Sequence, residues 1–160
     1  MKNSIFHRSA LVVLALSVLI MSACSPSYVN RQDFGRPATI AEITEYHSGS
    51  YFGDDTSGAY YSSDGTYRGV GNDGDPFIGT WEAKKNGLGS TFLFKDTTYY
   101  WVKDGKTVSG KLSAAFVVYL QPDGSHVLDR MGGGNYVGPA PSKSFRTESK
   151  FNALVKELGI

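Results

Sequence analysis

Four dipeptides, Asp64-Gly65, Asn86-Gly87, Asp104-Gly105 and Asp123-Gly124, each stand between runs of β-forming residues. Asp-Gly and Asn-Gly are the strongest short-range hairpin signals, because a two-residue hairpin loop needs positive φ at both central positions. Tight turns with positive φ at both residues are expected at Asp64-Gly65 and Asp104-Gly105. From Ser50 to Val137 turn signals recur about every ten residues, the spacing of an antiparallel meander. The strands between them are expected at 59–63, 66–70, 77–84, 90–96, 98–103, 107–112, 115–121 and 125–131. In 77–84, alternation puts Phe77, Gly79, Trp81 and Ala83 on one face and Ile78, Thr80 and Glu82 on the other.

Two segments follow helical rather than strand periodicity. Residues 37–47 open with Thr39 and Glu42 three positions apart, the spacing of a capping box. Ile40, Ile43 and Tyr46 or His47 then share a face, and Gly49 marks the stop. Near the C-terminus Thr147 is placed to cap a second helix, with Phe151, Leu154, Val155 and Leu158 along one stripe. Gly132-Gly133-Gly134 and Pro139-Ala140-Pro141 form a long loop before it. The expected fold is mainly β (α+β): an antiparallel meander or small barrel of seven to nine strands, with a short N-terminal and a C-terminal helix. A sheet of that size either closes or curls around its helices. Ten Tyr, nine Phe and two Trp supply its core, and nearly all of them follow residue 27.

The first 23 residues stand outside this pattern. Lys2, His7 and Arg8 precede residues 10–21, an almost wholly apolar run. It is shorter than the roughly 20 residues a membrane-spanning helix needs, and it fits the apolar core of an export signal. Small residues then precede the only cysteine, in Met21-Ser22-Ala23-Cys24. This stretch resembles the lipobox of bacterial lipoproteins, with Met21 where Leu is usual. The resemblance implies cleavage of residues 1–23, diacylglycerol on the Cys24 sulfur, and acylation of the new amine. Several acyl chains anchor firmly at about 0.8 kcal/mol per buried methylene. Ser25, where Asp would imply retention at the inner membrane, implies the outer membrane. Residues 24–36 read as a lipidated tether and 37–160 as one β-rich domain.

Composition narrows the function. Lys2 and Arg8 are two of the 16 basic residues, so the mature chain carries 14 against 15 acidic ones and no basic patch. Nucleic acid is an unsuitable partner. With Cys24 lipidated, no thiol remains for a disulfide, a nucleophile or a zinc site. Asn72-Asp73-Gly74-Asp75 and Asp54-Asp55 carry oxygen ligands of the kind calcium takes, without the spacing of a full binding loop, and read as turns. No metal or cofactor is expected. His126 and Asp129 lie three apart in a strand and so face opposite ways, which leaves no triad. Gly132-Gly133-Gly134-Asn135 has no helix directly after it and is no phosphate cradle.

Two aromatic features remain. Gly79-Thr80-Trp81 resembles the Gly-x-Trp of the first barrel strand in lipocalins and avidin-like proteins, where the Trp plugs one barrel end. Thr98-Tyr99-Tyr100-Trp101, with Tyr60-Tyr61 and Tyr119, offers rings for packing or for a ligand. Trp81, Tyr99 and Trp101 are the candidate ligand-binding residues. The body also resembles a family of small exported bacterial proteins of unknown function. Residues 38–43, 60–69 and 79–81 carry that likeness, as a short helix, a tyrosine-rich Asp-Gly-Thr hairpin and a Gly-x-Trp strand. It implies an order of elements and no activity. The expected function is non-enzymatic: an envelope lipoprotein, held to the membrane through Cys24, whose β-domain binds an envelope protein or glycan. The alternative is a calycin-like barrel binding a small apolar ligand, and an internal cavity of a few hundred Å³ would favour it.

Overall fold

A computed structural model describes residues 34–131 and 133–160. The expected signal segment, the lipobox-like stretch with Cys24, and most of the expected tether lie outside the described residues. Helix α1 spans Ile40–His47 and begins at the expected capping box. The Glu42 amide donates to Thr39 Oγ1 at 3.3 Å, and the Thr39 amide donates to Glu42 Oε2 at 2.8 Å. Gly49, at φ 64°, lets the chain turn away.

Eight strands follow: β1 (Ser50–Gly53), β2 (Gly58–Tyr61), β3 (Thr66–Val70), β4 (Pro76–Lys85), β5 (Thr91–Lys103), β6 (Lys106–Leu120), β7 (His126–Arg130) and β8 (Asn135–Gly138). Each pairs antiparallel with the next, in sequence order. The sheet is a nearly closed barrel. On the outer edge of β1, Tyr51 exchanges backbone hydrogen bonds of 2.7 and 2.9 Å with Ser142, just beyond β8. Helix α2 (Glu148–Leu158) packs outside the barrel against β3, β4 and β5, with Phe151 buried beneath it.

Several boundaries differ from expectation. β5 and β6 are single strands of 13 and 15 residues, where the pattern suggested breaks near Thr97 and Ser113. The polar residues there are no turn signal. Asp96 and Ser113 are a cross-strand pair on the outer face, and Ser113 Oγ donates to Asp96 Oδ1 at 2.5 Å. β1 and β8 are additional strands, each only four residues long. Thr147 stands at the start of α2 without capping it through its side chain. It is buried instead, with its Oγ1 3.3 Å from the Tyr51 hydroxyl. Phe34, assigned to the tether, is buried against Tyr119 and Val127 on the barrel's outer face, so the folded unit begins before residue 37.

The turns also divide into two kinds. Asp104 (φ 52°) and Gly105 (φ 72°) form the expected two-residue hairpin. Asp64 is not at positive φ; Gly65 alone is, at 85°. There the Ser62 amide donates to the Thr66 carbonyl and the Gly65 amide to the Ser62 carbonyl, a three-residue loop whose left-handed glycine completes a bulge. The same pair of hydrogen bonds recurs at 71–75, 86–90 and 121–125. In the first and last of these, as at Asp64, an Asp carboxylate before the glycine accepts the amide of the residue after it. In the Asn86 turn the left-handed residue is Gly89, not Gly87.

Candidate functional site

Register decides which side chains enter the barrel. Trp81 on β4 stands opposite Lys95 on β5, and Phe77 opposite Tyr99. Lys95 in turn stands opposite Ala114 of β6, and Leu93 opposite Phe116. Val118 faces Leu128 across β6 and β7. These residues share the inner face with Tyr61 and Tyr67, which stack 5.2 Å apart at 18°. Gly79 is required among them, since a Cβ there would collide with the Asp96 carbonyl oxygen and the Tyr67 ring.

One end of the barrel is filled. Helix α1 lies across it, with Ile43 and His47 almost fully buried. The His47 ring sits 5.0 Å from both Phe52 and Tyr61, 5.9 Å from Trp81 and 6.1 Å from His126. Its Nδ1 lies 2.9 Å from the Ile43 carbonyl, which selects the neutral tautomer with the proton on Nδ1. Burial lowers the His47 pKa to about 3, against the hydrogen bond to Ile43; nearby His126 and Lys95 lower it further. Burial likewise lowers His126 to about 4, against a backbone hydrogen bond to Pro139 and with the help of Lys95. The His126 ring occupies space that only a glycine at 138 leaves free.

Above this floor the interior is open. A cavity of about 850 Å³ opens between the loops at the other end, around Gly53–Gly58, Gly71–Asp73 and Gly133–Asn135. Phe52, Tyr61, Phe77, Tyr99, Phe116 and Leu128 form its apolar wall. His47 and His126 lie at its base, and Lys95 and Arg130 on its sides. The Lys95 ammonium is 4.6 Å from the centre of the Phe116 ring, 5.9 Å from those of Tyr61 and Tyr67, and 3.3 Å from the Tyr61 hydroxyl.

The three candidate residues stand in three different places. Tyr99 lines the cavity. Trp81 is buried in the floor beside α1, where its Nε1 donates to the Ser62 carbonyl at 2.9 Å. Trp101 stands on the overhang of the β5–β6 hairpin, opposite Val108 and above Gly110, beyond the last β4 pairing at Phe77 and Tyr99. Tyr60 and Tyr119 are on the outer face, against Phe145 and Phe34. Phe77, expected on the Trp81 face, and Tyr61, named among the aromatic rings, both line the cavity; Lys95 and Phe116 are lining residues that the sequence reading missed. Lys95 joins the face of Tyr99 once β5 is read as one strand, and Phe116 lies two residues along β6 from Ala114, the partner of Lys95.

Other acidic groups belong to turns. Asp54 Oδ1 accepts from the Thr56 and Ser57 amides and from Thr56 Oγ1, which lowers its pKa to about 2. Among the described residues no three His, Cys, Asp or Glu side chains gather to hold a metal. His126 faces inward with Leu128, while Asp129 pairs with Val117 and Asn135 on the other face. No described helix is long and apolar enough to cross a membrane. No protein-family model, curated protein or solved structure matches the chain.

Proposed function

We propose that this chain is a non-enzymatic, lipid-anchored envelope protein whose barrel holds a small apolar ligand. The observation that carries this reading is the aromatic-walled cavity of about 850 Å³. Pockets for small molecules span roughly 300–1,000 Å³ and combine apolar walls with a few polar groups. A core kept only for stability would close such a space, since each buried void forfeits packing. The lipid anchor on Cys24 rests on Met21-Ser22-Ala23-Cys24 and places the barrel at a membrane, a source of apolar ligands.

A neutral fluorescent probe, N-phenyl-1-naphthylamine, tests the cavity. Its emission should rise saturably on titration into the purified protein, and Ala59→Phe, which fills space on the cavity wall, should abolish the rise. No saturable response in wild type would sink the reading. Fatty-acid labelling that Cys24→Ala removes would support the anchor, and an unlabelled wild type would refute it.

A second reading, a module that binds another envelope protein, draws on β8. Among the described residues this strand pairs only with β7, and Tyr136 and Val137 are 58 % and 63 % exposed on it. An open edge with apolar side chains is a template for strand addition. Retention of an envelope protein by wild type, lost on Val137→Lys, would support it.

A further inference from the structure

Lys95 is an unusual residue to find inside a barrel. Lysine is seldom placed in an interior without a partner. Its inward direction is not accidental, since it is set by the same register that puts Trp81 and Ala114 on the inner face. Among the described residues no carboxylate forms an ion pair with it, and the Tyr61 hydroxyl at 3.3 Å is its one hydrogen-bond partner. An ammonium has three donors, so two are left without a protein acceptor.

The rest of the cavity adds a second cation and a single carboxylate, which is held in a turn. Arg130 lines the same space, also without an ion pair among the described residues. Asp73 is the only acidic residue on the lining, and it lies in the turn between β3 and β4, where its Oδ1 accepts the Asp75 amide at 3.2 Å. The two histidines at the base are hydrogen-bonded and buried. A lysine kept only to brace the Tyr61, Tyr67 and Phe116 rings would gain cation–π contact alone. A methionine would fill the same space without the cost of drawing an ammonium from water.

From this juxtaposition we infer that the cavity selects an apolar-bodied carboxylate and that Lys95 pairs with its head. The inference rests on the cavity reading above and names the class of ligand. The aromatic wall takes the apolar body, and a singly charged head matches the one ammonium among the rings. Tyr61, whose hydroxyl already contacts Lys95, holds the ammonium in place, and Arg130 raises the positive potential along the path from the mouth.

The test is displacement of N-phenyl-1-naphthylamine by two competitors with the same ten-carbon body, decanoate and decan-1-ol. Wild type should bind decanoate at least tenfold more tightly than decan-1-ol. Lys95→Met should bring the two within twofold by weakening decanoate alone, and Lys95→Arg should keep the preference. Equal binding of both competitors by wild type would overturn the inference, whatever the variants do, and leave the cavity reading standing. A tenfold preference that survives in folded Lys95→Met would overturn it too. If the probe itself fails to bind wild type, the cavity reading falls instead. Thermal unfolding of each variant confirms that the comparison is made on folded protein.

Discussion

The two ends of the barrel share one kind of turn and finish differently. At the α1 end, the β2–β3, β4–β5 and β6–β7 connections are three-residue loops with a left-handed glycine. At the mouth, the β3–β4 connection is built the same way. Turn chemistry therefore does not explain why one end is solid and the other hollow. The helix does. α1 brings Ile43 and His47 into contact with the rings of β1, β2, β4 and β7, and no described element plays that part at the mouth. A barrel of eight strands has an interior just wide enough for side chains to fill or for one small ligand to occupy. Here the closed half takes the first course, and the open half leaves room for the second.

The largest effect expected from this contrast is on stability. Trp81→Ala removes a buried ring and its hydrogen bond from the packed floor, and should cost about 3–5 kcal/mol. Tyr99→Ala removes a half-buried ring from the wall of a space that is already open. It should cost only about 1 kcal/mol, the transfer term for part of a ring. Urea unfolding of the two variants measures both. Equal losses would mean that the upper half is packed as tightly as the floor, and the contrast would be gone.

Acid should attack the closed end next. His47 and His126 have folded-state pKa values near 3 and 4, below the ordinary value of 6.5, chiefly through burial. The unfolded chain therefore binds more protons than the folded one as pH falls below about 6.5, so stability decreases with falling pH. Each histidine contributes up to about 1.4 kcal/mol per pH unit down to its folded pKa. The groups around them carry the same sign: Lys95 disfavours protonation of both, and the Tyr46, Tyr61 and Trp81 rings bring no carboxylate. Between pH 6.5 and 5, most carboxylates stay ionised, so unfolding measured there reports the histidines. His126→Gln should reduce the slope by about half. A flat profile in wild type over that range would mean that the floor admits water.

Much of this fold was legible in the chain, and the exceptions have physical causes. Thr39 and Glu42 mark α1 because a capping box is local chemistry, complete within four residues. The hairpins are marked by Asp-Gly for the same reason. The cavity is not local. It depends on β5 running unbroken through Thr97, and the polar run around Asp96 hides this because its outward partner, Ser113, lies 17 residues away. With β5 broken, Lys95 and Tyr99 belong to different strands and their common face is lost. Trp81 is a comparable case: alternation gives its inward direction, but not the register that puts it at the end covered by α1. β8 escapes because a four-residue edge strand with exposed side chains has little alternation to read.

The smallest effect sharpens the comparison at the turns, where sequence and structure choose different glycines. Asn86-Gly87 is the dipeptide that signals a hairpin, yet the residue at positive φ is Gly89, at 82°. Neither glycine has anything within 4 Å of a would-be Cβ, so packing cannot distinguish them. Backbone conformation can. Gly89→Ala must hold an L-residue in the left-handed region and should cost about 1 kcal/mol. Gly87→Ala meets no such penalty and removes freedom from the unfolded chain, so it should be neutral or stabilise by up to about 1 kcal/mol. The Asn86 side chain supports this assignment. Its Oδ1 accepts the amides of Leu88 and Ser90 at 3.0 and 2.9 Å, which fixes the loop around Gly89 rather than around a two-residue turn. Thermal unfolding resolves the two variants. The reverse order, with Gly87→Ala the more damaging, would restore the two-residue hairpin that the dipeptide suggests.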